Sequence, residues 1–157
     1  MSLATFVVLA CVLALGNAQV LSPAAPLFSG RRAASPKALS GITDCGIGEL
    51  VDVRLSGCTQ APCTLTAGQS YQLQGDFRSR DQHWILRYAM IVHQENQLTT
   101  IFPENAVPDS VVTPGQLYTF SHDFIFNPAF RGKSYIRLEL HENWKQEFCL
   151  IIPVNVV

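Results

Sequence analysis

Four cysteines frame the C-terminal part of this 157-residue chain and set the terms on which it can fold. Asp44-Cys45-Gly46 opens the frame, Cys58-Thr59-Gln60-Ala61-Pro62-Cys63 follows, and Phe148-Cys149 lies close to the end. The remaining cysteine, Cys11, belongs to an apolar stretch from Leu3 to Leu15 that is too short to span a bilayer comfortably. Gly16 and Ala18 supply the small residues that signal peptidase requires, so residues 1–18 are expected to be a signal peptide cleaved after Ala18. A secretory route makes the even number of remaining cysteines a disulfide framework, with three pairings open to it. The short step from Cys58 to Cys63 suits a local loop, which leaves Cys45 with Cys149 and ties the first strand to the last. In the chain-entropy account, closing a loop of about 100 residues stabilises by roughly 4–5 kcal/mol and the short loop by about 2. The spacings fit no zinc-finger pattern, so no metal is expected.

Only 15% of the residues are charged and 48% are apolar, where ordinary soluble domains carry about 25% charge. The length suits one domain. Net charge is −1. Arg31, Arg32 and Lys37 stand in a stretch without acids, which leaves residues 43–157 acidic and unattractive to nucleic acid. Residues 19–42 are rich in Pro, Ala and Ser, show no period, and read as a flexible arm in which Arg31-Arg32 is an exposed pair. The folded domain is then 43–157. It has no long unbroken apolar run and is expected to be soluble. There is no Asn-x-Ser/Thr acceptor, so N-glycosylation is not expected.

Between the cysteines the apolar residues alternate, as half-buried strands require. Val51, Val53 and Leu55 share one face of a first strand; Tyr71, Leu73 and Phe77 share one face of a second. Trp84 to Val92 is nearly continuous and reads as a central, buried strand. Gln97 to Phe102 reads as a short strand stopped by Pro103. Tyr118, Phe120, Phe124 and Phe126 take alternate positions of a long strand. Ile136, Leu138 and Leu140 line another, and Phe148, Leu150, Ile152, Val154 and Val156 the last. Turn residues such as Gly57, Gly68, Pro114-Gly115, Asn127-Pro128 and Gly132 separate them. The pattern predicts an all-β fold, an immunoglobulin-like antiparallel β-sandwich of about seven strands. Its staple differs from that of immunoglobulins, whose cysteines join the second and sixth strands beside a buried Trp. The surplus of aromatic and apolar side chains points to an apolar ligand.

Catalytic readings fare badly. Ser121-His122-Asp123 has the composition of a triad, but on a strand His122 faces away from both neighbours. His141-Glu142-Asn143-Trp144-Lys145 nearly matches a zinc-protease motif, yet Lys145 replaces the second ligand and the segment looks like a hairpin. Glu139 and Glu142 are expected to face water. His122 shares the apolar face of Tyr118, Phe120, Phe124 and Phe126. A histidine there would charge in mild acid and loosen a pocket, although a satisfied structural histidine is the plainer reading.

Several short motifs occur in a fixed order. They are Asp44-Cys45-Gly46; Cys58 with Pro62-Cys63; Leu65 with Gly68-Gln69 and Tyr71; Ile91-Val92-His93; Phe102-Pro103; and Phe148-Cys149 with Pro153-Val154. Together, over about 43–157, they resemble the ML family of lipid-recognition domains. The nearest branch is the one typified by the Niemann-Pick type C two sterol carrier, with group two mite allergens as relatives. The resemblance implies a two-sheet sandwich with an apolar ligand between its sheets, no cofactor and no enzyme activity. By position it assigns Phe102, Phe126 and Phe130 to the pocket mouth and Tyr71 to the pocket, with Tyr118 and Phe120 lining the slot. It implies the same disulfides, Cys45 with Cys149 and Cys58 with Cys63.

The chain also departs from the family. A third family disulfide has no counterpart in residues 103–117. Ala67 stands where the family has a Lys on its membrane-facing side. The arm before Asp44 is longer than the family's. The protein so implied is a secreted, monomeric carrier, and lysosomal delivery is equally compatible with the leader. Its partners would be a sterol or other apolar lipid and a lipid-accepting membrane protein. Binding of a fatty acid, semiochemical or microbial glycolipid in chemosensation or innate defence would share the pocket and differ in its shape. A non-lipid immunoglobulin-like interaction module would instead show no cavity and an exposed apolar patch.

Overall fold

The computed structural model describes residues 38–94, 97–128 and 130–157, with the backbone alone for 97–103. The predicted signal peptide and the arm up to Lys37 lie outside the described residues. The strands are β1 (Thr43–Asp44), β2 (Glu49–Leu55), β3 (Cys63–Leu65), β4 (Ser70–Arg78), β5 (Arg87–Gln94), β6 (Gln97–Ala106), β7 (Leu117–Ile125), β8 (Gly132–Glu142) and β9 (Lys145–Val156). One sheet runs β1-β9-β8-β5-β6, with β3 added in parallel along β9; the other runs β2-β4-β7. With β1 and β3 only 2 and 3 residues long, the longer strands are those the alternation predicts.

Register arranges the alternating residues into rows. Across β5, β8 and β9, Val92 lies beside Ile136 and Ile152, Met90 beside Leu138 and Leu150, and Tyr88 beside Leu140 and Phe148. The facing sheet offers Val53, Leu55, Leu73, Phe77, Phe120 and Phe124, all buried. Full burial of each such side chain contributes about 1.5–3 kcal/mol, so these rows carry most of the stability. Gly75 sits at an inward position of β4, opposite Phe120. A Cβ there would overlap the ring of Phe148, whose Cε2 lies 2.7 Å from that point, so glycine lets the two layers close.

Both disulfides pair as the spacing predicts. Cys45–Cys149 joins the turn after β1 to β9 with Cα atoms 4.8 Å apart, and Cys58–Cys63 closes a local loop with Cα atoms 5.6 Å apart. The described end of the arm is built into the domain: Leu39 is buried and its N–H donates to the Val53 carbonyl at 2.7 Å.

The structure corrects three strand expectations. Val51 does not share the face of Val53 and Leu55, because a register shift between Leu50 and Asp52 turns it outward. The continuous run from Trp84 is not all strand: β5 begins at Arg87, and Trp84 and Ile85 are exposed. Nor does Pro103 stop β6, which continues to Ala106. That strand is the outer edge of its sheet, where a residue without an N–H is tolerated.

Candidate functional site

The predicted site residues fall into two aromatic groups between the sheets. The first lies where β4 starts and β7 ends. Tyr71 packs on Phe124 with centroids 6.0 Å apart, Phe124 meets Phe126 edge-on at 5.7 Å, and Phe126 stacks on Phe130 at 5.4 Å. Phe126 is buried and Phe130 half-buried. Both belong to the segment between β7 and β8, so neither ring is fixed by a strand ladder. Tyr71 holds its end of the file through its hydroxyl, which accepts the Thr66 N–H at 2.6 Å and donates to Gln69 Oε1 at 3.2 Å. The Gly68 N–H donates to the Phe126 carbonyl at 3.0 Å and closes the loop beside it. Phe102 lies in β6 opposite Met90, and its side chain lies outside the described residues.

The second group fills the middle and far part of the layer. Tyr118 packs on Phe77 at 5.9 Å, Phe77 on Phe148 at 5.3 Å, and Phe148 on Phe120 at 6.5 Å. Tyr88 reaches Phe120 at 6.0 Å and His122 at 5.2 Å. Tyr118 accepts the Thr113 N–H at 2.8 Å. Phe120 is fully buried and interlocked with its neighbours, so it has the surroundings of a core residue. Sequence reasoning did not place Tyr88 and Phe148 in this group. Alternation gives their face, but their meeting with Phe120 depends on which sheet covers which.

His122 lies between the two groups. Burial pushes its pKa below the usual 6.5, against the opposing pull of the Asp123 charge. Its neighbours point away, as alternation requires: Gln74 reaches the Ser121 hydroxyl at 3.5 Å, and Gln72 donates to Asp123 Oδ1 at 3.0 Å. They belong to a polar outer face of the three-stranded sheet. There Arg54 pairs with Asp76 at 2.8 Å and Asp52 at 3.3 Å, and Thr119 donates to Asp76 at 2.7 Å. A pocket of about 220 Å³ opens on that outer side, lined by Arg54, Ser56, Gly57, Thr59, Gln72 and Gln74. It includes none of the predicted aromatics.

A third cluster had no signal in the sequence, because its members are far apart in the chain. Buried His83 lies between two carboxylates, with Nε2 2.8 Å from Glu147 and Nδ1 3.2 Å from Glu142. Glu142 also accepts the N–H groups of Trp84 and Ile85, each at 3.3 Å. Glu139 is bound to Arg137 at 3.1 Å and Gln146 at 2.7 Å. The expectation that Glu139 and Glu142 face water is therefore corrected: Glu142 is covered by the 83–85 loop, and Glu139, on the outer face of β8, is largely covered beside Arg137 and Gln146. Among the described residues, no group of His, Cys, Asp or Glu is arranged to hold a metal ion.

No protein-family model matches the chain, and no curated protein does. Solved structures do match in fold. A Niemann-Pick type C2 protein from Japanese carpenter ant aligns with TM-score 0.61 at 15% identity, over 74% of this chain and 98% of that one. The C-terminal domain of wzt aligns with TM-score 0.51 at 9% identity, over 85% of this chain and 82% of that one. The two-layer sandwich that the cysteine frame and its motifs point to, that of a Niemann-Pick type C2 protein, is the fold this chain has.

Proposed function

We propose that this chain binds and carries an apolar lipid between its sheets, with a sterol as the first candidate, admitted past Phe102, Phe126 and Phe130. The observation that carries the reading is the file Tyr71–Phe124–Phe126–Phe130 at one end of a sandwich of this fold. Two of its rings sit on a connection and not on a strand, so they can part without unpairing a sheet. A guest burying about 400 Å² of apolar surface there gains roughly 10 kcal/mol before the costs of association. The reading also comprises secretion, a monomeric state and transfer to a lipid-accepting membrane protein. It assigns no catalytic step.

Native mass spectrometry and dehydroergosterol uptake test it. A co-purified apolar ligand, or saturable uptake, is the expected result. Phe130→Ala and Phe102→Ala should each weaken uptake about tenfold, the effect of losing part of one ring contact, with the unfolding midpoint nearly unchanged. A clean apo mass with no uptake of dehydroergosterol or palmitate would reject the carrier.

A further inference from the structure

The chain has two tryptophans, and neither serves the core: Trp84 is 73% exposed and Trp144 96%. Trp144 is the second residue of the two-residue turn between β8 and β9, with Asn143 at φ 48° and Trp144 at φ 69°. Such turns favour Asn-Gly, because glycine adopts this left-handed backbone without strain and a bulky side chain does not. Trp144 bears that strain with its ring in solvent and no packing gain among the described residues.

The two indoles stand on a loop and a hairpin that are tied together, and most of the acids nearest them are paired. The bridge between His83 and Val112 sets Trp84 next to Val111, which is 51% exposed; Ile85 is 44% exposed. His83, wedged between Glu142 and Glu147, fixes this loop to the β8–β9 hairpin. Glu142 and Glu147 are spent on His83 and on backbone N–H groups, those of Trp84 and Ile85 for Glu142 and that of Arg80 for Glu147. Asp81 is held by Lys145 at 2.8 Å. What solvent meets is indole, isoleucine and valine, with the exposed Arg80, Gln82 and Lys145 beside them and the exposed Asp109 two residues from Val111. Two tryptophan rings present about 400 Å², half of what one partner of a stable protein interface buries. The patch is too small for a lasting protein contact. It suits the water–lipid boundary, where an indole keeps its ring apolar and its N–H wet.

We infer that this end docks on the interfacial layer of a lipid bilayer, with Trp84 and Trp144 inserted at headgroup depth. The inference does not rest on the lipid-carrier reading. The hairpin lies at the start of β9 and the Phe126–Phe130 file near its end. The 12 residues of β9 therefore hold that file roughly 40 Å from the docked surface.

With no other tryptophan present, emission excited beyond the tyrosine absorption band reports this end alone. Phosphatidylcholine vesicles should shift the emission to the blue, brominated phosphatidylcholine should quench it, and the protein should sediment with the vesicles. Trp144→Gly should partition about tenfold more weakly while its melting temperature holds or rises, because glycine relieves the turn. Emission that saturating vesicles neither shift nor quench would overturn the inference, as would Trp144→Gly partitioning like the wild type. A shift produced instead by soluble glycans, or by protein concentration alone, would reassign the patch to a sugar or to a second copy. Dehydroergosterol uptake in vesicle-free buffer reads the pocket separately, so a protein that takes up sterol and ignores vesicles refutes only the docking.

Discussion

At Gly75 a single hydrogen in place of a methyl decides whether the two layers can meet, because the Phe148 ring occupies the space where a Cβ would stand. Gly75→Ala should destabilise by about 1–3 kcal/mol, the usual effect of overpacking, and a lowered urea midpoint at unchanged slope is the expected reading. His122 sets a pH dependence of definite sign. Its pKa is lowered in the folded chain by burial, so below about pH 6.5 the unfolded chain binds a proton that the folded chain resists. The contribution of His122 is complete above that value and is lost as pH falls toward the lowered pKa. In His122→Gln, urea midpoints measured between about pH 7 and 5 should lose that acid slope; a slope that persists would locate it elsewhere.

Among the elements, β7, β8 and β9 were legible because one face is buried and the other wet, which prints a period of two on the sequence. The start of β5 was not. Trp84 and Ile85 are apolar for a reason other than burial, and a hydrophobicity pattern cannot tell the two apart. The extension of β6 through Pro103 was hidden because its edge position is a property of the sheet order. The aromatic rows were legible face by face, whereas their partners across the layer were not: Phe148 over Gly75 joins strands distant in the chain. The His83 cluster was invisible for the same reason, since its contacts span 59 and 64 residues. His83→Ala leaves Glu147 buried with one donor fewer and should cost about 1–3 kcal/mol, with the Trp84 loop opening first in hydrogen exchange. Protection there equal to the wild type would mean that the cluster does not anchor the loop.

For the whole molecule the two disulfides differ in consequence. Cys45–Cys149 closes a loop of sequence separation 104 and Cys58–Cys63 one of 5. Replacing the first pair by serine should remove roughly 4–5 kcal/mol and the second about 2, an inequality that chemical unfolding of the two variants measures directly. The architecture followed from the cysteine frame and the strand periods together. β9 is the keystone of the larger sheet, since β1, β3 and β8 all pair with it and all precede it in the chain. A nascent chain therefore cannot complete that sheet until β9 has left the ribosome. Until then β1 and β3, which pair with β9 alone among the described strands, are ribbons that a chaperone would have to shield.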